Sequence, residues 1–302
     1  MLTTIEQGAK SPTQLAKATN MHPRAIGLLL EVLEAVGVLS KADAPSEEGE
    51  DAYQLTTLSQ ILLNSEYREL GNQYWRFLPT YLKTGQPFKR MDDLSESEAH
   101  YQVQAGMLGW MLMAAAAEAA QRLDIGGSRR GLKILDVGAG SAIWSLSMAQ
   151  RDADVRVTAN DWPAVLDVAR QTANSLGVAG QLDVLNGDFH LVDFPAGAFD
   201  LVIVANVVHL QTADRNRALF RRLRPAMKAG GEMMVVDALA DAGDDRISTA
   251  LYHLGLSLRT EHGRVYSSRD IREMLGDEFE PPQLIRLKSP PRVGGILLVR
   301  AK

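Results

Sequence analysis

The chain has no cysteine in 302 residues. Disulfides, thiolate nucleophiles and thiolate metal centres are therefore excluded. It also has no excess of positive charge. With 32 Lys and Arg against 37 Asp and Glu, the formal net charge is −5, which gives no general attraction to nucleic acid or to an anionic membrane. Long apolar runs are missing too. The longest weakly polar stretch, 105–117, stops at Glu118 and contains Gly106 and Gly109, so it is too short to span a bilayer. The opening M-L-T-T-I-E-Q-G-A-K has neither a basic n-region nor an apolar h-region, and no secretory leader is expected. His100, His190, His253 and His262 lack metal-ligand spacing and no acidic cluster accompanies them, so no metal is expected. A phosphate loop of the form G-x-x-x-x-G-K-S/T is absent. What remains is a cytoplasmic protein of ordinary globular composition, 46% apolar and long enough for two domains.

What is present is organised around I-L-D-V-G-A-G-S-A at 134–142. An apolar strand (Ile134, Leu135, Val137) runs into a turn at Gly138 and Gly140, and Ser141 and Ala142 open a helix. Glycine lets backbone N–H groups approach a ligand because no Cβ blocks the way. The helix start adds unpaired donors and a partial positive charge. The dinucleotide pattern G-x-G-x-x-G fails, because Ile143 stands at the third glycine. An acid two residues before the first glycine, Asp136, is instead the pattern of an S-adenosylmethionine site.

The N-terminal part, 1–95, reads as a winged helix. Ser11-Pro12-Thr13-Gln14 is a capping box with proline in the first turn, opening a helix that ends near Asn20. His22-Pro23 opens a second helix with Ile26, Leu29, Leu30, Leu33 and Val36 at helical spacing, stopped by Gly37. Residues 38–41 and 53–55 then form a two-stranded wing around an acidic loop, and a helix resumes at Thr57. A reader of DNA needs a basic face. Residues 1–70 carry five Lys/Arg against ten Asp/Glu, and the wing tip is E-E-G-E-D. The winged helix is therefore assigned to protein contacts.

Residues 67–88 are the most aromatic part, with Tyr67, Tyr74, Trp75, Phe77, Tyr81 and Phe88, broken by Gly85-Gln86-Pro87. A helix from about Tyr101 to Leu123 follows, within a segment 96–130 read as a helical linker contributing to a substrate pocket. Aromatics and methionines at this spacing serve a core or a wall for a flat substrate, and spacing does not separate the two. Gly126-Gly127-Ser128 reads as the link to the last domain, 131–302.

From Lys133 on, strands and helices alternate, which predicts a parallel sheet covered on both faces. The strands are 133–137, 156–160, 181–186, 201–205 and 232–237; the helices are 141–150, 163–176, 214–223, 246–259 and 268–275. Segments 283–288 and 296–300 are joined by too few residues for a crossover helix, so they pair as an antiparallel hairpin. Ligands of such α/β sheets bind at the carboxyl ends of the strands. Those ends carry Asp136 with the glycines, Asp161 about twenty residues past the glycines, Gly187-Asp188-Phe189, Asn206 with His209 three residues on, and Asp237. An acid in the position of Asp161 accepts hydrogen bonds from ribose hydroxyls, or caps the helix that starts at Trp162-Pro163. A carboxylate beside an aromatic, Asp188 with Phe189, suits an adenine amino group and ring.

Taken together, 134–142, Asp161, Gly187-Asp188-Phe189, His209 and Lys228-Ala229-Gly230-Gly231-Glu232 make the chain resemble the class I S-adenosylmethionine-dependent methyltransferases. Over nearly its whole length, including Tyr53-Gln54-Leu55-Thr56 with Leu58, it resembles the small-molecule O-methyltransferases with an N-terminal winged-helix dimerisation domain. The resemblance implies a Rossmann-like methyltransferase sheet, five parallel strands plus a C-terminal antiparallel hairpin, and S-adenosyl-L-methionine as cofactor. It implies that Gly138 and Gly140 approach the methionine end with Asp136 beneath, that Asp161 with Trp162 holds the ribose, and that Asp188 and Phe189 hold adenine. Asn206 completes the cofactor set, and His209 stands where the family has its general base. The family often has His-Asp-Trp there, and this chain has His209-Leu210-Gln211; a frequent basic residue four positions earlier is Ala205. The family's first helix, which swaps into a partner subunit, is missing from the start of this chain, which counts against the homodimer that the resemblance implies.

The expected reaction is methyl transfer to a hydroxyl of a small aromatic molecule. A phenol near pKa ~10 loses its proton to a histidine near ~6.5 as the C–O bond forms. Asp237, or Glu261, would fix the other ring nitrogen of His209. Tyr252, His253 and Leu256 are candidates for the acceptor side. Two alternatives stay open: an S-adenosylmethionine-binding protein without methyl transfer, such as a hydroxylase or decarboxylase, and a ligand-responsive winged-helix regulator, which the acidic charge opposes.

Overall fold

A computed structural model describes residues 1–46, 49–63, 65–241, 246–289 and 294–302. The chain falls into two compact units, Met1–Leu78 and Pro79–Lys302. The boundary lies earlier than residue 95, because the N–H groups of Phe88 and Met91 donate to the carbonyls of Leu258 and Arg259 and tie this segment to the second unit.

The first unit begins with a short helix α1 (Leu2–Ile5) and then α2 (Pro12–Thr19) and α3 (Pro23–Ala35). The capping box is formed: the Ser11 hydroxyl accepts from the Gln14 N–H and the Gln14 side chain accepts from the Ser11 N–H. Asn20 ends α2 in the left-handed region at φ 53°, and Gly37 reverses the chain after α3 at φ 76°. Strands β1 (Leu39–Lys41) and β2 (Tyr53–Leu55) pair antiparallel as the wing, followed by α4 (Thr57–Leu63). The acidic tip falls partly on residues 47 and 48, outside the described residues. Ile5, Leu15, Ile26, Leu30, Leu39 and Tyr53 form the core of this unit. The opposite side of α3 carries Leu28, Leu29, Val32 and Val36, all exposed. Helix α5 (Ser65–Thr84) contains most of the aromatic stretch and ends just before Gly85.

The second unit is built on α6 (Leu94–Arg122), which starts earlier than the sequence pattern suggests, and on seven strands: β3 (Lys133–Val137), β4 (Arg156–Asp161), β5 (Leu182–Asn186), β6 (Phe199–Ala205), β7 (Met227–Ala238), β8 (Gln283–Arg286) and β9 (Gly294–Arg300). Their order is β5-β4-β3-β6-β7-β9-β8, the first five parallel and the last two antiparallel. The C-terminal hairpin forms as expected, with β9 inserted between β7 and β8; its turn at 290–293 lies outside the described residues. Along β3 the side chains alternate, Ile134 to one face and Leu135 and Val137 to the other, as strand pleating requires.

One face is covered by α6, α7 (Ile143–Ala149) and α8 (Pro163–Ser175), the other by α9 (Ala213–Leu223) and α11 (Ser268–Leu275). Helix α10 (Arg246–Ser257) follows β7. Ala115, Ala116, Ala119 and Ala120 are buried in the core that α6 shares with α7 and α8, their small side chains letting the helices approach closely. This corrects the reading of Gly126-Gly127-Ser128 as an interdomain link. Those residues make a tight turn inside the unit, with Gly126 at φ 82° and the Ser128 N–H donating to Asp124, because α6 is already part of the sheet's core. Residues 228–231 bulge out of β7, which pairs Phe199 with Met227 and then Leu201 with Glu232.

Candidate active site

The carboxyl ends of β3, β4 and β6 open onto a cleft in the second unit. Sequence dictates its floor. Gly138 and Gly140 sit at φ 62° and 57°, left-handed values that glycine adopts without a Cβ penalty. A Cβ on Gly138 would lie 2.8 Å from Val207 and 3.4 Å from Phe189, so the turn can lie this close to its neighbours only as glycine. Ala142 is itself left-handed at φ 55°, and α7 therefore begins at Ile143 rather than at Ser141.

Asp161 ties the turn to the neighbouring strand. Its Oδ2 accepts from the Gly140 N–H at 2.8 Å and its Oδ1 from the Trp162 N–H at 2.8 Å. Trp162, not Asp161, is the N-cap of α8, which corrects the capping alternative: the carboxylate bonds its immediate neighbour and a turn on the next strand instead of the helix start. Burial raises the Asp161 pKa to about 6, against the two amide bonds that favour its charged form. Asp136 lies deeper. It is 1% exposed and accepts from the Ser145 hydroxyl at 2.6 Å; burial pushes its pKa up to about 7, the Ser145 bond opposing. Asp136 stands beneath the turn and does not line the cleft, whereas Gly138, Gly140, Asp161, Trp162, Phe189 and Asn206 do.

Asp188 and Phe189 follow β5. The Asp188 carboxylate accepts from the His190 N–H at 2.8 Å, which shapes the loop that presents Phe189 to the cleft; Asp188 itself is not among the lining residues. His190 follows Phe189 in the same loop. It is partly buried, its Nε2 meets Gln211 Oε1 at 2.5 Å, and burial lowers its pKa. Gln211 in turn donates to Asn216, and Asn216 donates to the Val208 carbonyl. This chain of amides secures the loop after β6.

That loop carries His209, on a single helical turn, Val208–Leu210. Asn206 at φ 57° turns the chain out of β6. The His209 Nδ1 lies 2.6 Å from Asp237 Oδ1, and its backbone N–H donates to Asp237 Oδ2 at 3.0 Å. A carboxylate only accepts, so Nδ1 carries a proton, and in the neutral ring the lone pair is then on Nε2. Of the two acids read as candidate partners, Asp237 at the end of β7 is the one in place. Glu261 pairs instead with Arg90 at 3.4 Å. Both His209 and Asp237 are buried.

The sequence reading missed several residues of the cleft, among them Met91, Asp92, Arg215 and His262. Asp92 accepts from the backbone N–H groups of Glu261 and His262 at 2.9 and 2.6 Å, joining segments far apart in the chain. Tyr101 on α6 also lines the cleft, and burial raises its pKa. Only the aromatic density before α6 could have signalled such a wall. Among the described residues no group of three His, Asp or Glu side chains stands ready for a metal ion, and no helix is long and apolar enough to cross a membrane.

Comparison with known proteins gives the chain relatives over most of its length. A family model described as an O-methyltransferase domain matches residues 67–278. The tetracenomycin polyketide synthesis 8-O-methyl transferase TcmO of Streptomyces glaucescens is 26% identical over 87% of this chain and 79% of its own length. The L-tyrosine C(3)-methyltransferase of Streptomyces lavendulae is 28% identical over 56% of this chain, which spans about half, 46%, of that relative. A solved structure of a protein named an O-methyltransferase from Nostoc punctiforme has the same fold, with a TM-score of 0.69 at 22% identity over 98% of this chain and 90% of that one.

Proposed function

The chain belongs to the O-methyltransferase domain family, and from that premise we propose that it transfers a methyl group from S-adenosyl-L-methionine to a hydroxyl of a small aromatic molecule. The observation that carries the reading is the turn at Gly138 and Gly140 held by Asp161, opening on the same cleft as Trp162, Phe189 and Asn206. The donor set fits the cofactor. Two left-handed glycines leave space for close approach, a buried carboxylate waits beside them for hydroxyl donors, and aromatic side chains supply a wall for a purine. Bound there, S-adenosylmethionine supplies an electrophilic methyl on a sulfonium. Asp161 would accept from the ribose hydroxyls and Phe189 would lie against the adenine, presented by the loop that Asp188 shapes, while Asp136 supports the turn from below through Ser145 on α7.

His209 is the proposed base. Asp237 holds its Nδ1–H, which leaves the Nε2 lone pair to remove the acceptor's proton as its oxygen meets the methyl. The residual work is alignment and exclusion of water, a gain from orientation. Segment 96–130 contributes to the acceptor side through Tyr101. TcmO is named for 8-O-methyl transfer in tetracenomycin polyketide synthesis, which supports a small-molecule hydroxyl as acceptor.

A homodimer is the proposed assembly, supported by the exposed apolar side of α3, and the cytoplasm is the proposed location. Leu28, Val32 and Val36 lie one helical turn apart and are 55%, 56% and 60% exposed, an apolar stripe on one side of the helix. Val32→Glu should shift the protein to a monomer in analytical ultracentrifugation.

The decisive experiment has two arms. Titration calorimetry with S-adenosylhomocysteine tests cofactor binding. Release of S-adenosylhomocysteine from S-adenosylmethionine, followed by mass spectrometry, is then read against catechol, caffeic acid and 2-hydroxynaphthoic acid. His209→Ala should leave binding intact and abolish turnover. Binding with no methylated product from any phenol would leave a cofactor-binding protein of other activity.

A further inference from the structure

The free nitrogen of the proposed base already has an occupant. Among the described residues, the group facing His209 Nε2 is the hydroxyl of Tyr252 on α10, 3.4 Å away. The two rings meet edge to face, 5.9 Å apart at 77°. Tyr252 is partly buried beside Leu210, and the Arg259 guanidinium lies 5.6 Å from its ring centroid, a cation–π distance that steadies the ring. The hydroxyl contact itself is long; a well-made bond from a hydroxyl is nearer ~2.8 Å.

Placement gives this contact a meaning. The His209 side chain is 7% exposed and does not line the cleft, although Asn206, Val207, Leu210 and Gln211 around it do. Tyr252 does not line the cleft either; its hydroxyl is the group set against Nε2, so an acceptor that is to use that nitrogen has to displace it. Tyr252 is also a phenol, the same chemical group as the acceptor in the proposed reaction.

We propose that Tyr252 is a placeholder: its hydroxyl donates to the His209 lone pair until the hydroxyl of a phenolic acceptor replaces it. This rests on His209 being the base. Tyr252 keeps its own proton throughout. The acceptor's O–C bond forms as the sulfonium S–C bond breaks, and the acceptor's proton passes to Nε2. Until then the Tyr252 hydroxyl satisfies a buried imidazole nitrogen that would otherwise lack a partner, and it competes with the acceptor for the same site.

The test is Tyr252→Phe in the full chain saturated with S-adenosylhomocysteine or S-adenosylmethionine. Without acceptor, the 15N resonance of His209 Nε2 should move downfield in the variant, towards an imidazole nitrogen with no donor. In turnover of whichever of catechol, caffeic acid and 2-hydroxynaphthoic acid the wild type methylates, the acceptor KM should fall about three- to tenfold and kcat/KM rise by the same factor, the worth of one neutral hydrogen bond. An unmoved 15N resonance overturns the placeholder. So does a fall in kcat/KM, which makes Tyr252 a proton relay, or a kcat/KM within twofold of wild type. His209→Gln separates the two readings: if it keeps turnover, the base assignment fails; if it loses turnover while Tyr252→Phe changes nothing, only the placeholder fails.

Discussion

Replacing Asp237 by Asn removes one charge and keeps the shape, and the geometry says why it should be damaging. Asp237 Oδ1 accepts from the His209 Nδ1–H at 2.6 Å and from the Ala238 N–H at 2.8 Å, while Oδ2 accepts from the His209 N–H at 3.0 Å. Three donors converge on two oxygens, and Asn has only one oxygen. With the Asn oxygen in the Oδ2 place, its NH2 points at His209 Nδ1. The imidazole must then turn that nitrogen into an acceptor and carry its proton on Nε2, where it cannot serve as a base. With the oxygen in the Oδ1 place, the NH2 confronts the His209 N–H, and a buried donor is left unpaired at roughly 1–3 kcal/mol. Either state leaves one buried N–H without its acceptor, that of Ala238 in the first and that of His209 in the second; the first also loses the base, worth about 10² to 10⁴ in rate, whereas the second keeps the Nδ1–H held. Asp237→Asn should therefore lower the unfolding midpoint, and lower kcat by at least about 10² where the first state prevails, with the affinity for S-adenosylhomocysteine unchanged. Steady-state turnover, calorimetry and thermal unfolding of the same preparation separate the two states. A variant within threefold of wild type in kcat, with an unchanged unfolding midpoint, would refute the argument.

The remaining predictions concern the floor of the cleft. Asp136 has a folded pKa of about 7 against an ordinary 3.8, so it stabilises the fold least when ionised. Its penalty is absent below pH 4 and complete above pH 7, and at about 1.4 kcal/mol per tenfold in acidity constant it amounts to roughly 4 kcal/mol. Asp136→Asn, which can still accept from Ser145, should raise the urea midpoint at pH 8 and not at pH 4; equal effects at both would contradict the burial cost. Asp161, with a pKa raised to about 6 by burial, accepts ribose hydroxyls best when ionised. Affinity for S-adenosylhomocysteine should be full above pH 7 and decline as pH falls through 6, approaching tenfold per pH unit, with the dependence gone in Asp161→Asn; calorimetry across pH 5–8 decides this. Gly138→Ala puts a Cβ 2.8 Å from Val207 on a residue at φ 62°, and should weaken cofactor binding at least about tenfold while Gly177→Ala, with no atom within 4 Å, leaves it unchanged.

The amino-acid sequence determined the local elements and the end of each strand. Capping at Ser11, the reversal at Gly37, the glycine turn after β3 and the alternation of strands and helices are short-range consequences of residue type and period, and all are formed. Because ligands of such sheets bind at strand ends, reading those ends singled out Asp161, Phe189 and Asn206, which line one cleft, and His209, which lies buried on the loop beside it. Tertiary structure decided what each of them touches. Asp237 rather than Glu261 holds His209, since β7 lies beside β6 and places the two on adjacent strand ends, while Glu261 is drawn off by Arg90 and Asp92. His190 is tied to Gln211 by a loop closure that no spacing foretells. Tyr252 reaches His209 from a helix 43 residues further on. Spacing along a chain reports which face a side chain takes; which distant carboxylate or phenol meets it depends on strand order and helix packing, and those exist only once the whole sheet has closed over its core.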